Sequence, residues 1–183
     1  PGRTYPDNPK STDSAVLACY PDAAAIPGDL DLAIVAVPAA LVPAAIDDLG
    51  RKAGPAAVIF SSGFGEMGAD GARLQAELEA RARAAGIRVC GPNCLGLVNA
   101  FERVIATFAL YGDGAVPPGP GAFVTQSAAF GTAIAALARR RDLGLGYFVN
   151  TGNEADVSFA EVMQEVLADT RIRVGAGYIE GFK

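Results

Sequence analysis

Four short segments hold residue types suited to gripping an anionic ligand, and each follows a run of apolar residues. Gly63-Phe64-Gly65-Glu66-Met67-Gly68 spells GxGxxG between a strand-like run and a helical one. The backbone N–H groups of such a turn can approach a phosphate closely, and Ser61 and Ser62 add hydroxyls at its start. The pattern argues against a nicotinamide dinucleotide, because the preceding strand is not the first of its unit. The next strand, Ile87 to Cys90, also runs into Gly91-Pro92 with no acidic residue for a ribose. A phosphate- or nucleotide-contacting loop for another ligand fits better. Gly91-Pro92-Asn93-Cys94-Leu95-Gly96 is the second segment: proline fixes φ, asparagine tolerates unusual turns and the glycines admit close backbone approach. Cys94 reads as a small buried thiol, since no histidine is present to activate it as a nucleophile.

The third segment, Val124-Thr125-Gln126-Ser127, enters a helix whose first N–H groups and dipole favour an anion, with Ser127 as its N-cap. The fourth, Asn150-Thr151-Gly152-Asn153-Glu154, is another glycine loop after a strand, so two loops of one unit can converge on one anion. Glu180 ends the last apolar run, where catalytic carboxylates often stand. Each segment also has a plain reading as a structural turn, cap or solvated strand end, and spacing alone leaves both open. Arg139, Arg140 and Arg141 lie at the far end of the third segment's helix and complement its negative pole rather than form a binding patch.

Positioning these loops requires alternating strands and helices. Asp31 to Val37 is nearly all apolar, as a strand covered on both faces would be. A helix is predicted from about Leu41, with Pro43 in its first turn and Val42, Ile46 and Leu49 on one face. Asp47 with Arg51 and Asp48 with Lys52 have the spacing of helical ion pairs. A strand at 56–61, a helix at 69–85 stopped by Gly86, and a short strand from Ile87 follow. The alternation then pauses, and Tyr111 to Gly121 is the richest stretch in glycine and proline. Beyond it come a strand at 122–125, a helix at 127–141 and a strand at 147–149. Ser158 and Glu161 then have capping-box spacing before a helix running to Leu167, and a last strand covers 174–180. Two blocks of alternation predict an α/β protein made of two doubly wound Rossmann- or flavodoxin-like units with parallel sheets, both incomplete. Their expected extents are 1–114 and 119–183.

Composition narrows the chemistry. The 183 residues are 51% hydrophobic and 19% charged, enough for a core and too apolar for disorder. No apolar run is long enough to span a membrane, and the opening Pro1-Gly2-Arg3-Thr4-Tyr5 shows neither a leader nor an initiator Met. The absence of histidine excludes Ser-His-Asp and Cys-His catalysis, histidine metal sites and a phosphohistidine within these residues. Three scattered cysteines suit a reducing cytoplasm and form neither a disulfide framework nor a metal site. A net charge of −5 argues against a nucleic-acid partner.

In order and spacing these segments resemble the NDP-forming acyl-CoA synthetases, the superfamily of the succinyl-CoA synthetase alpha subunit and the ADP-forming acetyl-CoA synthetases. The likeness runs through Tyr5-Pro6-Asp7-Asn8-Pro9-Lys10, Val37-Pro38-Ala39, Ser61 to Glu66, Gly91 to Gly96, Val124 to Ser127 and Gly152-Asn153, essentially the whole chain. GPNCLG is its most specific element. The resemblance implies interconversion of acyl-CoA, ADP and phosphate with acid, CoA and ATP, through an acyl phosphate and a phosphohistidine. It implies coenzyme A contacts at Lys10, Val37, Pro38, Ser61, Ser62, Gly63, Asn93 and Cys94, and a phosphate or acyl-phosphate site at Gln126, Ser127, Ala128, Gly152 and Asn153. Glu180 resembles the glutamate that steadies the phosphohistidine. The implied partners are a small carboxylic acid and an ATP-grasp domain or beta subunit that binds ATP or ADP with Mg outside this chain, in an oligomer.

The sequence departs from the pattern in three places. The family's first strand and glycine-rich turn do not precede Pro1, its catalytic histidine is absent, and Ala128 stands where a glycine is usual. Two other readings follow from these departures: a non-catalytic CoA- or acyl-CoA-sensing module of an acyltransferase, and a nicotinamide-dependent oxidoreductase resting on the lone GxGxxG.

Overall fold

The computed structural model describes residues 2–8, 10–14 and 17–182. A small antiparallel pair, β1 (Asp13–Ser14) with β2 (Leu17–Ala18), precedes the main elements. The first unit then runs β3 (Ala33–Val35), α1 (Val42–Arg51), β4 (Ala56–Ile59), α2 (Ala69–Ala85) and β5 (Arg88–Cys90). Its three strands pair in the order β3-β4-β5, all parallel. The apolar run of β4 is buried along Ala57–Ile59, whereas Ile34 of β3 is 51% exposed, so β3 is covered on one face only and not on both as its sequence predicts.

The second sheet contains β6 (Gly96–Asn99), β7 (Val104–Thr107), β8 (Gly121–Thr125), β9 (Leu145–Asn150) and β10 (Val174–Tyr178) in the order β10-β8-β9-β6-β7. Helices α3 (Ala128–Arg140) and α4 (Phe159–Ala168) connect its parallel strands β8, β9 and β10. The stretch where the alternation pauses forms the β6–β7 hairpin, antiparallel to β9. Strict alternation of buried and half-buried residues in β6 (Gly96, Val98 inward) is the period-2 signal of that strand. The doubly wound α/β architecture with parallel-strand sheets is as the sequence predicts.

Local chemistry explains the element ends. Val42, Ile46 and Leu49 of α1 are buried in the first core, with Pro43 in the first turn, where its missing N–H costs nothing. Gly86 ends α2 in a left-handed conformation while Ile87 N–H returns to the Ala82 carbonyl. Neither expected i,i+4 ion pair forms. Asp47 reaches across to Arg81 of α2, Asp48 pairs with Arg51, and Lys52 Nζ donates to the Ile26 carbonyl at 2.6 Å. Tertiary partners replace the i,i+4 ones because α1 packs along α2 and over the 22–26 segment. Arg139 likewise does more than complement a dipole: it donates to the carbonyls of Leu110, Tyr111, Asp113 and Ala115 and lies over the Tyr111 ring, clamping the glycine- and proline-rich stretch.

A shared core joins the two sheets. Val58, Cys90 and Cys94 from the first unit and its following loop pack with Ala122, Val124 and Val149 of the second sheet. Arg88 reinforces this seam, with Asp156 at 2.9 Å and Glu161 at 2.8 Å. Ser158 caps α4 by accepting from Glu161 N–H, but the Glu161 side chain turns to Arg88 instead of closing the capping box. Among the described residues no helix is long and apolar enough to cross a membrane.

Candidate functional site

Five loops leave the C-terminal ends of parallel strands, where open α/β sheets bind ligands. They follow β3, β4 and β5 in one sheet and β8 and β9 in the other. Hydrogen bonds tie them into one surface. Ser61 Oγ donates to the Val37 carbonyl at 2.5 Å, fastening the loop after β4 to the loop carrying Val37 and Pro38. Asn93 N–H donates to the Ser61 carbonyl at 2.9 Å, which adds the GPNCLG loop. Gly63 is left-handed, and a Cβ there would stand 3.0 Å from the Ala39 side chain. Ser62 is exposed beside it.

The loop after β9 docks directly on GPNCLG. Asn153 N–H donates to the Pro92 carbonyl and Ala155 N–H to that of Gly91, each at 2.9 Å. Gly152 has φ +58°, and a Cβ there would lie 2.4 Å from the Pro92 oxygen and 2.6 Å from that of Asn93. Only glycine permits this approach. The carboxamides of Asn93 and Asn153 meet, Nδ2 of Asn93 donating to Oδ1 of Asn153 at 3.2 Å. Asn93, Gly152 and Asn153 are thus brought together with Ser61 and Gly63, from two units of the sequence.

Asn150 is the hidden organiser. Fully buried at the end of β9, it accepts from Leu95 N–H at 2.6 Å and donates to the carbonyls of Thr125 and Gln126 at 2.9 and 3.0 Å. It therefore fixes the start of α3 relative to GPNCLG. Ser127 is the N-cap of α3, its hydroxyl accepting from Phe130 N–H, and Ala128 is the first helical residue. The Gln126 side chain faces the end of the chain: Oε1 accepts from the N–H groups of Glu180 (2.7 Å) and Gly181 (3.1 Å), and Nε2 donates to the Gly181 carbonyl at 3.1 Å. Gln126 thus orients Glu180 beside the α3 N-terminus, and the Glu180 residue itself is exposed. A ring stack of Phe130 on Tyr178, centroids 4.2 Å apart, flanks this corner.

Two residues stand apart from this arrangement. Lys10 is exposed and lines a shallow depression of about 350 Å³ with Asn8, Ser11, Thr12, Cys19 and Pro21, none of which belongs to the loop cluster. Cys94 points inward, 2% exposed, its thiol donating to the Ile59 carbonyl at 3.3 Å. A hydrogen bond with Cys94, together with burial, pushes the Cys90 thiol well above its ordinary value, and the same contact holds Cys94 lower. Among the described residues no group of three or more His, Cys, Asp or Glu side chains is placed to hold a metal ion.

Sequence reasoning passed over Asn150, Glu66 and Glu154 as site residues. Asn150 is signalled by a lone amide closing an apolar run, and Glu66 is the only acid inside GxGxxG. Glu154, buried, accepts from Thr151 Oγ1 at 2.8 Å and from Phe159 N–H at 2.9 Å, so it caps α4 from inside the loop. The Glu66 carboxylate accepts from the N–H groups of Gly63 and Phe64 and from Asn153. Partial burial pushes its pKa up, but these hydrogen bonds outweigh that and hold the carboxyl below the usual range. A depressed pKa means the ionised contact contributes stability above the unfolded carboxylate range and loses it only as pH falls through the lower folded value. We expect a carbon-13 titration of the Glu66 carboxyl to give a midpoint below that of glutamate in an unstructured peptide; a midpoint at or above it would contradict this geometry.

Comparison with known proteins matches residues 1–100 to a CoA binding domain and residues 118–183 to a succinyl-CoA ligase like flavodoxin domain. The chain is 38% identical over 183 residues to the alpha subunit of ADP-forming acetate–CoA ligase II of Pyrococcus furiosus, covering 100% of this chain and 39% of that one. It is 38% identical over 182 residues to ADP-forming acetate–CoA ligase I of Archaeoglobus fulgidus, covering 98% of this chain and 26% of that protein. The dinucleotide forming acetyl-coenzyme A synthetase 1 of Ca. Korarchaeum cryptofilum, solved with phosphate and ADP, superposes with a TM-score of 0.90 at 35% identity, over 98% of this chain and 38% of that one. The chain therefore spans about two fifths or less of the length of these relatives. Its strand-end loops, its two matched domains and its likeness along the full 183 residues agree: the chain belongs to the CoA-binding domain family, and its residues 118–183 match the succinyl-CoA ligase like flavodoxin domain.

Proposed function

We propose that this chain is the CoA-binding and acyl-phosphate-handling part of an NDP-forming acid–CoA ligase, which interconverts acyl-CoA, ADP and phosphate with acid, CoA and ATP. The observation that supports the reading is the convergence of loops from both sheets on Asn93 and Asn153. The CoA unit is read over residues 1–114 and the ligase-like unit over 119–183, with the β6–β7 hairpin of the first stretch joining the sheet of the second. In the first, Val37, Pro38, Ser61, Ser62, Gly63 and Asn93 face the CoA thiol and pantetheine arm, while Lys10, set apart, meets the nucleotide end.

In the second unit the N-terminus of α3 at Ser127 and Ala128, with Gly152 and Asn153, stabilises the anionic acyl phosphate or phosphohistidine by backbone N–H groups and the helix dipole. Gln126 fixes the backbone of Glu180 so that its carboxylate steadies the incoming imidazole. The 183 residues contain no histidine, so the phosphorylated side chain comes from outside them. ATP or ADP with Mg is held by an ATP-grasp module, fused or as a partner subunit, and the assembly is a cytoplasmic oligomer. The acid is a small carboxylic acid, in keeping with relatives named for acetate.

The test uses the protein as its gene encodes it, with any partner subunit, supplied with acetyl-CoA, ADP, Mg and phosphate. We expect ATP to form one for one with free CoA. Saturable CoA binding with no ATP would favour the sensing reading, and binding of NAD but not CoA would restore the oxidoreductase.

A further inference from the structure

The carboxylate of Glu66 faces two ways. Its Oε1 accepts from Gly63 N–H at 2.5 Å and Phe64 N–H at 3.2 Å, in the turn that follows Ser61 and Ser62. Its Oε2 accepts from Asn153 Nδ2 at 2.5 Å, 87 residues along the chain in the other unit. Gln75 of α2 makes a weaker parallel link, its Oε1 accepting from Gly65 N–H and from Asn153 Nδ2, each at 3.2 Å. Since Asn153 Oδ1 accepts from Asn93, the carboxamide of Asn153 has its rotation fixed from both ends.

This position selects a carboxylate. Donors stand on both sides of it, the amides of a turn on one and a carboxamide NH2 on the other. A carboxylate offers an acceptor oxygen to each, whereas a glutamine must turn its own NH2 toward one of them. Gly63 and Gly68, with φ of +110° and +87°, bound the turn that bears Glu66. The one carboxylate is therefore held by the turn after Ser62 on one side and by Asn153 on the other.

We propose that Glu66 is a positioning residue that couples the two ligand loops, so that occupancy of the Ser61–Gly63 loop alters the affinity of the Gly152–Asn153 loop for a phosphate group, and the reverse. The coupling rests on the assignment of CoA to the first loop and phosphate to the second. Thermodynamic linkage requires the effect to be equal in both directions.

The experiment measures the calorimetric dissociation constant for inorganic phosphate with and without saturating CoA, in the protein as its gene encodes it and in its Glu66→Gln variant. CoA is expected to change the wild-type phosphate constant about fivefold or more, and to change that of the variant less than about twofold. Asn153→Ser removes the other end of the bridge and must lower the coupling to the same level; it also decides the matter should Glu66→Gln fail to fold. A variant that binds phosphate more weakly but keeps the wild-type ratio shows a merely structural role and overturns the proposal. Wild-type protein that binds both ligands independently overturns the coupling alone. Wild-type protein that binds neither removes the underlying assignment of ligands, and the coupling with it.

Discussion

Replacing Gly152 by alanine is expected to destabilise the protein by roughly 2–5 kcal/mol and to abolish phosphate binding, because two penalties coincide there. The residue sits at φ +58°, where an L side chain is strained, and its Cβ would meet two backbone carbonyl oxygens at 2.4 and 2.6 Å. Those oxygens belong to Pro92 and Asn93, and Asn153 N–H grips the Pro92 oxygen at 2.9 Å, so it cannot retreat without undocking the two loops. Gly86→Ala is the control. Gly86 is left-handed as Gly152 is, with φ +70° and ψ +24°, but has nothing within 4 Å of its Cβ position, so that substitution should cost only the backbone term of about 1–2 kcal/mol. Urea unfolding of both variants checks the difference; equal losses would show that the packed loops tolerate the clash.

Asn150→Ala is expected to cost about 3–5 kcal/mol, from lost hydrogen bonds at a fully buried site. Leu95 N–H and the Gln126 carbonyl would lose this partner together, and water cannot easily replace it in a cluster that leaves the side chain no exposed area. The helix that begins at Ala128 would then be free to shift against GPNCLG, so phosphate binding should fall with stability. Asn150→Asp separates the two halves of the interaction. It keeps an acceptor for Leu95 N–H but sets a carboxylate against two carbonyls, and should be at least as damaging. An Asp variant with wild-type stability would contradict the hydrogen-bond pattern described for Asn150.

Much of the site was legible in the sequence because strand-end loops announce themselves twice, by an apolar run and by the glycine, proline or asparagine that follows it. GPNCLG and the Gly152 loop were found that way, and the structure docks one on the other. The helices were legible for the same local reasons: Val42, Ile46 and Leu49 fall on one face, and Gly86 can adopt the left-handed stop that α2 needs. What stayed hidden depends on partners distant in sequence. The β6–β7 hairpin is short and pairs with β9, about 50 residues away, so its period-2 pattern lies below what a four-residue window reveals. Asp47 has a lysine or arginine at helical spacing on its own helix, yet binds Arg81 because α2 lies alongside. Glu66 looked like part of a glycine turn, and its meaning depends on Asn153 87 residues later.

The same logic explains which site residues came together. Ser61, Gly63, Asn93, Gly152 and Asn153 meet because each ends or follows a parallel strand of neighbouring sheets. Gln126, Ser127 and Glu180 form a second corner, joined to the first through the buried Asn150. Lys10 lies in the segment before β1, outside both groups of loops.

The most direct test is a crystal structure of the protein, as its gene encodes it, grown with CoA and inorganic phosphate. The CoA pantetheine arm is expected along Val37, Pro38 and Ser61 to Gly63, with phosphate at the N-terminus of α3 within reach of the Gly152–Asn153 loop. CoA bound away from the ends of β3 and β4, or phosphate bound away from the start of α3, would contradict it.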